Sequence, residues 1–392
     1  MADDDLKEHP TRAGARSRPR TPVLVIVGPT PPPVGGQTVM VDLLLRNAAR
    51  FPEFRFRSVP TRFSRHLNQS GVFSLYKVWH LAEVIVRVTW TRIRSGRDAY
   101  LYFTPAGPTR MAMIRDLVLL LAVRWQFAGL VLHCHAAGMT TAYRRLPGPV
   151  RRLFTAAYGQ PNLVIAVAPD GVAEGAALDA HETVMVPNGV EDLGPVGTGE
   201  VHAPARLLFM GLVTPSKGVD VLVEALGLLA EAGVDATLTL AGEVPARYRP
   251  GLTDSIRRAG LEARVTFAGV VVGEDRRALF AATDVLCFPS FFESESFGMV
   301  VAEAMSAGVP VVTTAWRGIP YVVDHGRAGM LVPPRDPEAL ADSVGRVLSD
   351  DALRKGLIDR GRERYEQLFT TEAHLTGMRR ALCTITEGKP FP

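Results

Sequence analysis

Residues 285–313 read VLCFPSFFESESFGMVVAEAMSAGVPVVT. An apolar run at 285–288 stops at Pro289, a polar loop follows, 298–307 has the length and composition of a helix, and 310–313 is apolar again. Two short apolar runs separated by one helix describe buried parallel strands joined by a crossover. The same alternation recurs outward in both directions. Towards the N-terminus, strands are expected at 264–268, 236–241 and 207–210, with helices at about 274–282 and 220–232. Towards the C-terminus, helices follow at about 337–348, 351–368 and 371–386. A Gly/Pro-rich stretch at 194–204 reads as a linker, and before it the pattern starts afresh. There strands fall at 23–27, 99–103, 130–134 and 163–167, and helices at about 37–49, 75–93 and 109–127. Strand–helix alternation implies right-handed crossovers and parallel sheets. The expected fold class is therefore α/β, two doubly wound Rossmann-like domains facing a cleft. The domains are expected at 21–193 and 205–370, with a disordered tail over 1–20 and the last helix packing back on the first domain.

The bulk properties agree with this reading. The 392 residues are 47% hydrophobic and 21% charged, with 36 Gly and 29 Pro, enough for two cores and too apolar for a disordered chain. Neither a membrane-length apolar run nor a secretory leader is expected: Leu117–Val123 is closed off by Arg115, Asp116 and Arg124, and the chain opens on Asp3, Asp4 and Asp5. Cys134, Cys287 and Cys383 lack metal-ligand spacing and read as reduced thiols of a cytoplasmic protein. The net charge of +4 hides an asymmetry, because residues 1–193 hold 23 basic and 15 acidic residues. Between Leu43 and Pro169, 18 basic residues face only Glu53, Glu83, Asp98 and Asp116. Such a field draws a phosphorylated substrate or an anionic membrane surface. Nucleic acid, the weakest of the possible partners, is not expected, since no binding motif or basic-aromatic ladder accompanies the charge.

In open parallel sheets ligands bind beyond the carboxyl ends of the strands, so candidate residues belong to strand-to-helix loops. Gly35-Gly36 lets backbone approach a ligand at a helix start, whose free N–H groups suit an anion. His133 and His135 close the strand 130–134; one reads as a satisfied structural histidine, and His135 at the mouth is the better functional candidate. No third ligand joins them, so zinc is not expected. Lys217-Gly218 occupies the turn after strand 207–210, a place where phosphates bind. Glu295 ends the loop of the opening stretch, and Glu303 lies two turns inside an apolar helix. A carboxylate there needs partners, either ligand hydroxyls or a neighbouring Arg or Lys. The N–H groups of Phe297, Gly298 and Met299 are the free donors of that helix start.

Taken in order, Gly35-Gly36, the His135 strand end, Pro187-Asn188-Gly189, Lys217-Gly218 and Glu295-x7-Glu303 resemble the retaining glycosyltransferases of family 4, of the bacterial polysaccharide or glycolipid type. The likeness continues through Ala307-Gly308-Val309-Pro310 and Gly326-Arg327-Ala328-Gly329, dense in the second half and sparse in the first. It implies the two-domain GT-B fold, a nucleoside-diphosphate sugar as substrate with uridine or guanosine ahead of adenosine, no cofactor and no metal. It implies catalytic roles for His135, Glu295 and Lys217. Lys217 would meet the diphosphate, Glu295 the sugar and Glu303 the ribose. Gly35 and Gly36 would approach from the opposite domain, and Gly269 and Val270 would border the base. The segment Ser296-Phe297-Gly298-Met299 would offer amides to sugar or phosphate. Two positions depart from the family pattern: Leu212 stands where arginine is usual, and Tyr321 where glutamate is usual.

The acceptor is less legible. Residues 75–94 combine Trp79 and Trp90 with Lys77, Arg87, Arg92 and Arg94. Such a helix either lies on an anionic membrane or packs on the sheet with its arginines in water. A lipid-linked phosphate acceptor at the inner membrane face is the preferred reading, and a soluble acceptor the alternative. A nucleotide-dependent oxidoreductase is disfavoured, because Gly28-Pro29-Thr30 runs into prolines instead of a Gly-x-Gly-x-x-Gly turn. A catalytically silent nucleotide-sugar binder stays open through Leu212.

Overall fold

A computed structural model describes residues 21–32, 35–61, 75–107, 109–197 and 199–387. The tail expected over 1–20 lies outside these residues, as do Pro33 and Val34 of the diglycine loop.

The first half builds strands β1 (Val23–Gly28), β2 (Arg55–Pro60), β3 (Ala99–Phe103), β4 (Gly129–Cys134), β5 (Leu163–Ala166) and β6 (Thr183–Met185). They form one parallel sheet in the order β2-β1-β3-β4-β5-β6. Its helices are α1 (Gly36–Arg46), α2 (Leu75–Ser95), α3 (Arg110–Val123), α4 (Met139–Arg144), α5 (Gly148–Tyr158) and α6 (Pro169–Ala177). The second half builds β7 (Ala205–Met210), β8 (Ala236–Ala241), β9 (Val265–Gly269), β10 (Val285–Phe288), β11 (Val311–Thr314) and β12 (Met330–Val332). These too are all parallel, in the order β12-β11-β10-β7-β8-β9. Around them lie α7 (Val219–Glu231), α8 (Arg249–Arg258), α9 (Gly273–Ala281), α10 (Met299–Ala307), α11 (Ile319–Val322), α12 (Pro337–Ser349), α13 (Asp351–Leu368) and α14 (Thr371–Glu387). Two six-stranded parallel sheets flanked by helices are the α/β architecture expected from the sequence.

Strands buried on both faces explain the continuous apolar runs. On one face of the first sheet, Val25, Leu101 and Leu132 pack under Val84 and Val88 of α2, Leu120 of α3 and Phe154 of α5. On the other, Leu24, Ile26, Tyr102 and Ile165 pack under Val41 and Leu44 of α1. The remainder of that face is closed by Leu375, Met378 and Leu382 of α14, the last helix of the chain.

The chain thus passes between the sheets twice, and the two crossings are tied together. Val190 N–H donates to Phe369 O at 2.8 Å, and Val190 pairs with Thr370 in a parallel bridge. His374 Nδ1 lies 2.7 Å from Pro187 O. Arg362 grips Asp192 through both terminal nitrogens, at 2.6 and 2.8 Å.

Three strands escape the sequence reading, and all are sheet edges. β2 exposes Arg55, Arg57 and Ser58 and buries Val59, so it carries no apolar run. β6 and β12 are three residues each and half-buried. Helices α4, α5, α6, α8 and α11 also escape the sequence reading. Short amphipathic segments rich in Arg, Gly and Pro lack the sustained periodicity that marks a helix.

Because α14 supplies part of the first sheet's cover, its loss should be felt there. Leu382→Ala should lower unfolding free energy by about 2–5 kcal/mol, the usual cost of a buried leucine cavity. Urea denaturation followed by fluorescence of Trp79, Trp90 and Trp125 measures it.

Candidate active site

In the second sheet the strand order reverses between β7 and β10, and there the loops leaving the two strands part to open a crevice. Both loops carry charged candidates. Lys217 ends the 3₁₀ turn Pro215–Lys217, and Gly218 caps α7 with φ +78°. A side chain at Gly218 would bring its Cβ within 2.1 Å of Pro289 O, so only glycine lets this turn press against the β10 loop. That pressure brings Lys217 to Glu295. Lys217 Nζ donates to Glu295 Oε2 at 2.5 Å, and Ser290 Oγ donates to the same oxygen at 3.0 Å. The ammonium also lies 4.9 Å from the Phe292 ring centre and 5.5 Å from that of Phe288, a cation–π setting. Lys217 and Glu295 are thus partnered with each other, 78 residues apart in sequence.

The first domain faces this loop directly. Gly36 opens α1, and a Cβ there would meet Met299 Sδ at 3.1 Å. Met299 opens α10 after Gly298, whose φ is +72°. Two helix N-termini therefore converge, each with unpaired N–H groups and the positive end of its dipole. Gly35 precedes α1 in extended conformation, its N–H held by Thr38 Oγ1 at 2.9 Å. Ser296 Oγ donates to His135 O, and Ala137 N–H donates to Ser294 O at 3.4 Å. Phe297 is sunk in the core against Phe369, ring centres 5.3 Å apart, leaving only its backbone for a ligand.

The two histidines differ sharply. His133 Nδ1 meets the Tyr102 hydroxyl inside the sheet. His135, its ring centre 3.9 Å away, has both ring nitrogens shut off from solvent and unbonded. Asn188 Oδ1, His133 Nε2 and His374 Nε2 are likewise buried without a partner. Buried polar groups are rarely left unmet, so this cluster offers donors and acceptors to whatever enters. Burial, with the neighbouring His374, pulls the His135 pKa down to about 3, the Asn188 amide acting weakly against it. Burial also lowers His374 to about 4 and His133 well below the usual range. All three imidazoles are neutral at pH 7. No group of three or more His, Cys, Asp and Glu among the described residues is arranged to hold a metal ion.

Other candidates stand apart from this centre. Glu303 takes the cationic partner that the sequence left open, accepting from Arg276 of α9 at 3.1 Å. Burial raises its pKa against the opposing pull of Arg276, with Glu191 adding to the rise. Its second oxygen takes no hydrogen bond from a described residue. Gly269 ends the edge strand β9 with its carbonyl bonded by Gly242 N–H at 2.6 Å, and Val270 is exposed beside it. No hydrogen bond or ion pair among the described residues links these two to Lys217 or Glu295. Ser290, Arg276, Asn188 and His374 received no role from the sequence. Ser290 sits in an otherwise ordinary turn, Arg276 and His374 reach their partners only through tertiary contacts, and Asn188 is buried beside the histidines with its Oδ1 unmet.

The histidine cluster makes stability depend on pH. Each imidazole is harder to protonate folded than unfolded, so its contribution is complete above about pH 6.5 and falls as acid approaches the folded pKa. Unfolding free energy should therefore drop from pH 6.5 towards pH 4. His374→Gln should shallow that slope by up to about 1.4 kcal/mol per pH unit, one proton's worth. Urea titrations at stepped pH measure it.

Residues 204–350 match the family model described as glycosyl transferases group 1. A D-inositol 3-phosphate glycosyltransferase of Pseudarthrobacter chlorophenolicus is 35% identical over 207 residues, 52% of this chain and 46% of that one. A phosphatidyl-myo-inositol mannosyltransferase of Mycobacterium leprae is 33% identical over 189 residues, covering 46% and 48% respectively. The matched region thus spans about half the length of these curated relatives. Among solved structures, sucrose-phosphate synthase of Thermosynechococcus elongatus superposes over 94% of this chain and 100% of its own, with a TM-score of 0.71 and 21% identity. Anabaena HepE in complex with UDP-glucose superposes over 92% of this chain and 99% of its own, at 0.69 and 21%. Residues 204–350 thus match the group 1 glycosyl transferase model, and the chain that carries them shares the two-sheet GT-B fold of these solved structures.

Proposed function

We propose that this chain is a retaining, metal-independent glycosyltransferase. It moves a sugar from a nucleoside diphosphate to a hydroxyl of a phosphate-bearing, lipid-linked acceptor. The observation that carries the reading is the meeting of two helix starts, Gly36 and Met299, across the cleft that also holds the Lys217–Glu295 pair. Positive potential converges there from both domains, where a diphosphate would lie. Lys217 would exchange its carboxylate partner for a phosphate oxygen, freeing Glu295 to accept from sugar hydroxyls. Neutral His135 would hydrogen-bond the reacting sugar. Glu303 would offer its unbonded oxygen to the ribose, and the Gly269–Val270 backbone would border the base. The UDP-glucose in the Anabaena protein of the same fold puts uridine first.

In the reaction the bond between anomeric carbon and diphosphate oxygen breaks, and the acceptor oxygen bonds to the same face. The acceptor's proton passes to the departing diphosphate. Charge grows on that group in the transition state, so fixed positive groups accelerate its departure. Leu212, an apolar side chain in the loop after β7, leaves Lys217 as the chief side-chain cation; it also favours the second reading, a silent nucleotide-sugar binder. Release of free nucleoside diphosphate by the purified chain, supplied with UDP- and GDP-sugars, tests one against the other. Lys217→Ala should lower kcat roughly a hundredfold, as for a contact worth about 3 kcal/mol, while changing donor affinity less. Activity should survive excess chelator. Steady-state kinetics and calorimetry measure both.

The acceptor side rests on the helix layer α2, α3 and α5. Trp79 is 66% exposed, Trp90 55% and Trp125 78%, and Ile93, Ile114 and Leu153 are bared on the same layer. Arg87, Arg94, Arg110, Arg151 and Arg152 are exposed among them. Aromatic and aliphatic side chains set among arginines fit an anionic membrane surface. No helix among the described residues is long and apolar enough to cross one. The names of two relatives point the same way, since inositol 3-phosphate and phosphatidyl-myo-inositol both carry phosphate. A soluble phosphorylated acceptor is what the first of those names favours. The chain should sediment with phosphatidylglycerol vesicles and leave phosphatidylcholine vesicles in the supernatant. Trp79→Ser with Trp125→Ser should weaken that binding at least tenfold.

A further inference from the structure

The loop after β11 carries a feature the proposed reaction does not use. Arg317 has φ +51°, in the left-handed region that non-glycine residues rarely occupy. The residue that follows it is tightly packed. A Cβ on Gly318 would fall 1.8 Å from Ser296 O and 2.8 Å from Ala168 Cβ of the first domain. The loop is therefore wedged between the Glu295–Ser296 segment and the carboxyl end of β5. Trp316 anchors it from the other side, its indole N–H donating to Phe292 O at 2.8 Å.

The Arg317 guanidinium makes no hydrogen bond or ion pair with any described residue. Its Nε is buried and unpartnered, and its carbon lies 5.6 Å from the Trp316 ring centre. The residue as a whole is half-exposed, so its terminal nitrogens carry the exposure. A planar fork of donors, stacked on an aromatic ring and free of protein acceptors, is suited to a bidentate oxyanion. Strain held at a residue whose side chain satisfies nothing in the fold points to function.

We propose that Arg317 receives the phosphate of the acceptor. The site is separate from the one for the donor diphosphate. Lys217 lies against the Phe292 ring, whereas Arg317 lies against that of Trp316, whose indole N–H bonds Phe292 O. Arg317 also sits where the second domain touches the first through Gly318 and Ala168, on the side of the strongly basic first half. The inference rests on the glycosyltransferase reading and names the acceptor chemistry within it.

Arg317→Gly separates fold from function, because glycine relieves the left-handed backbone while removing the fork. The full chain, saturated with UDP or GDP to fill the diphosphate site, is titrated calorimetrically with inorganic phosphate. The variant should melt roughly 1 °C or more higher than the wild type, keep its nucleotide affinity, and bind phosphate at least tenfold more weakly. Arg317→Lys should recover part of the phosphate affinity. Displacement of phosphate by phosphatidic acid vesicles assigns the group to a lipid, and displacement by D-inositol 3-phosphate alone assigns it to a soluble acceptor. Equal phosphate binding by Arg317→Gly and wild type overturns the proposal. A parallel loss of nucleotide affinity also overturns it, as does an Arg317-dependent preference for UDP-glucuronate over UDP-glucose, since the charge would then belong to the donor. A wild type that binds neither nucleotide overturns the glycosyltransferase reading instead.

Discussion

Parallel pairing is the constraint on which everything else depends. Strands that all run one way deliver their carboxyl ends, and the helix starts that follow, to one edge of the sheet. Two such sheets brought edge to edge put Gly36 against Met299 and Ser296 against His135 without any of these residues being near in sequence. Neither sheet could hold that alignment alone. The returning helix α14, buried against Leu24, Ile26 and Ile165, makes the second crossing between the halves. The Val190–Phe369 and His374–Pro187 contacts bind the two crossings into one joint.

The cleft so formed has an uneven electrostatic character. Its charged groups are compensated locally: Lys217 by Glu295 and Glu303 by Arg276. What remains unmet is neutral or cationic: the His135 ring, the Asn188 carbonyl, two helix starts and the Arg317 fork. Such a surface leaves a multiply charged anion with little carboxylate repulsion and many donors. The joint and the cleft also share His374, which contacts the first crossing at Pro187 and has its ring centre 6.4 Å from that of His133.

The sequence made the interior legible and the edges obscure, for a physical reason. Strands β3 and β10 are flanked on both sides, so their apolar runs mark their limits to the residue. β2 is half in water, and its Arg-Phe-Arg-Ser alternation gives no such boundary. At the cleft, Lys217, Glu295, Ser296 and Gly36 were visible because backbone demands fix them next to glycines and helix starts. Pairings were not. That Lys217 meets Glu295 and Glu303 meets Arg276 depends on which loops the sheet order brings together. That His133 is held by Tyr102 while His135 is left unmet depends on two rings from neighbouring strands. Arg317 was invisible for a further reason, since its interest lies in a backbone angle that one residue type cannot announce.

In the proposed reaction the cleft between the two sheets receives a nucleoside diphosphate. A crystal structure of the full chain with UDP, or with GDP if that binds more tightly, tests it most directly. The diphosphate is expected between the first turns of α1 and α10, with Lys217 Nζ turned from Glu295 to a phosphate oxygen and Glu303 at the ribose. A nucleotide bound outside the cleft, or in it with the Lys217–Glu295 pair intact and the helix starts unengaged, would contradict it.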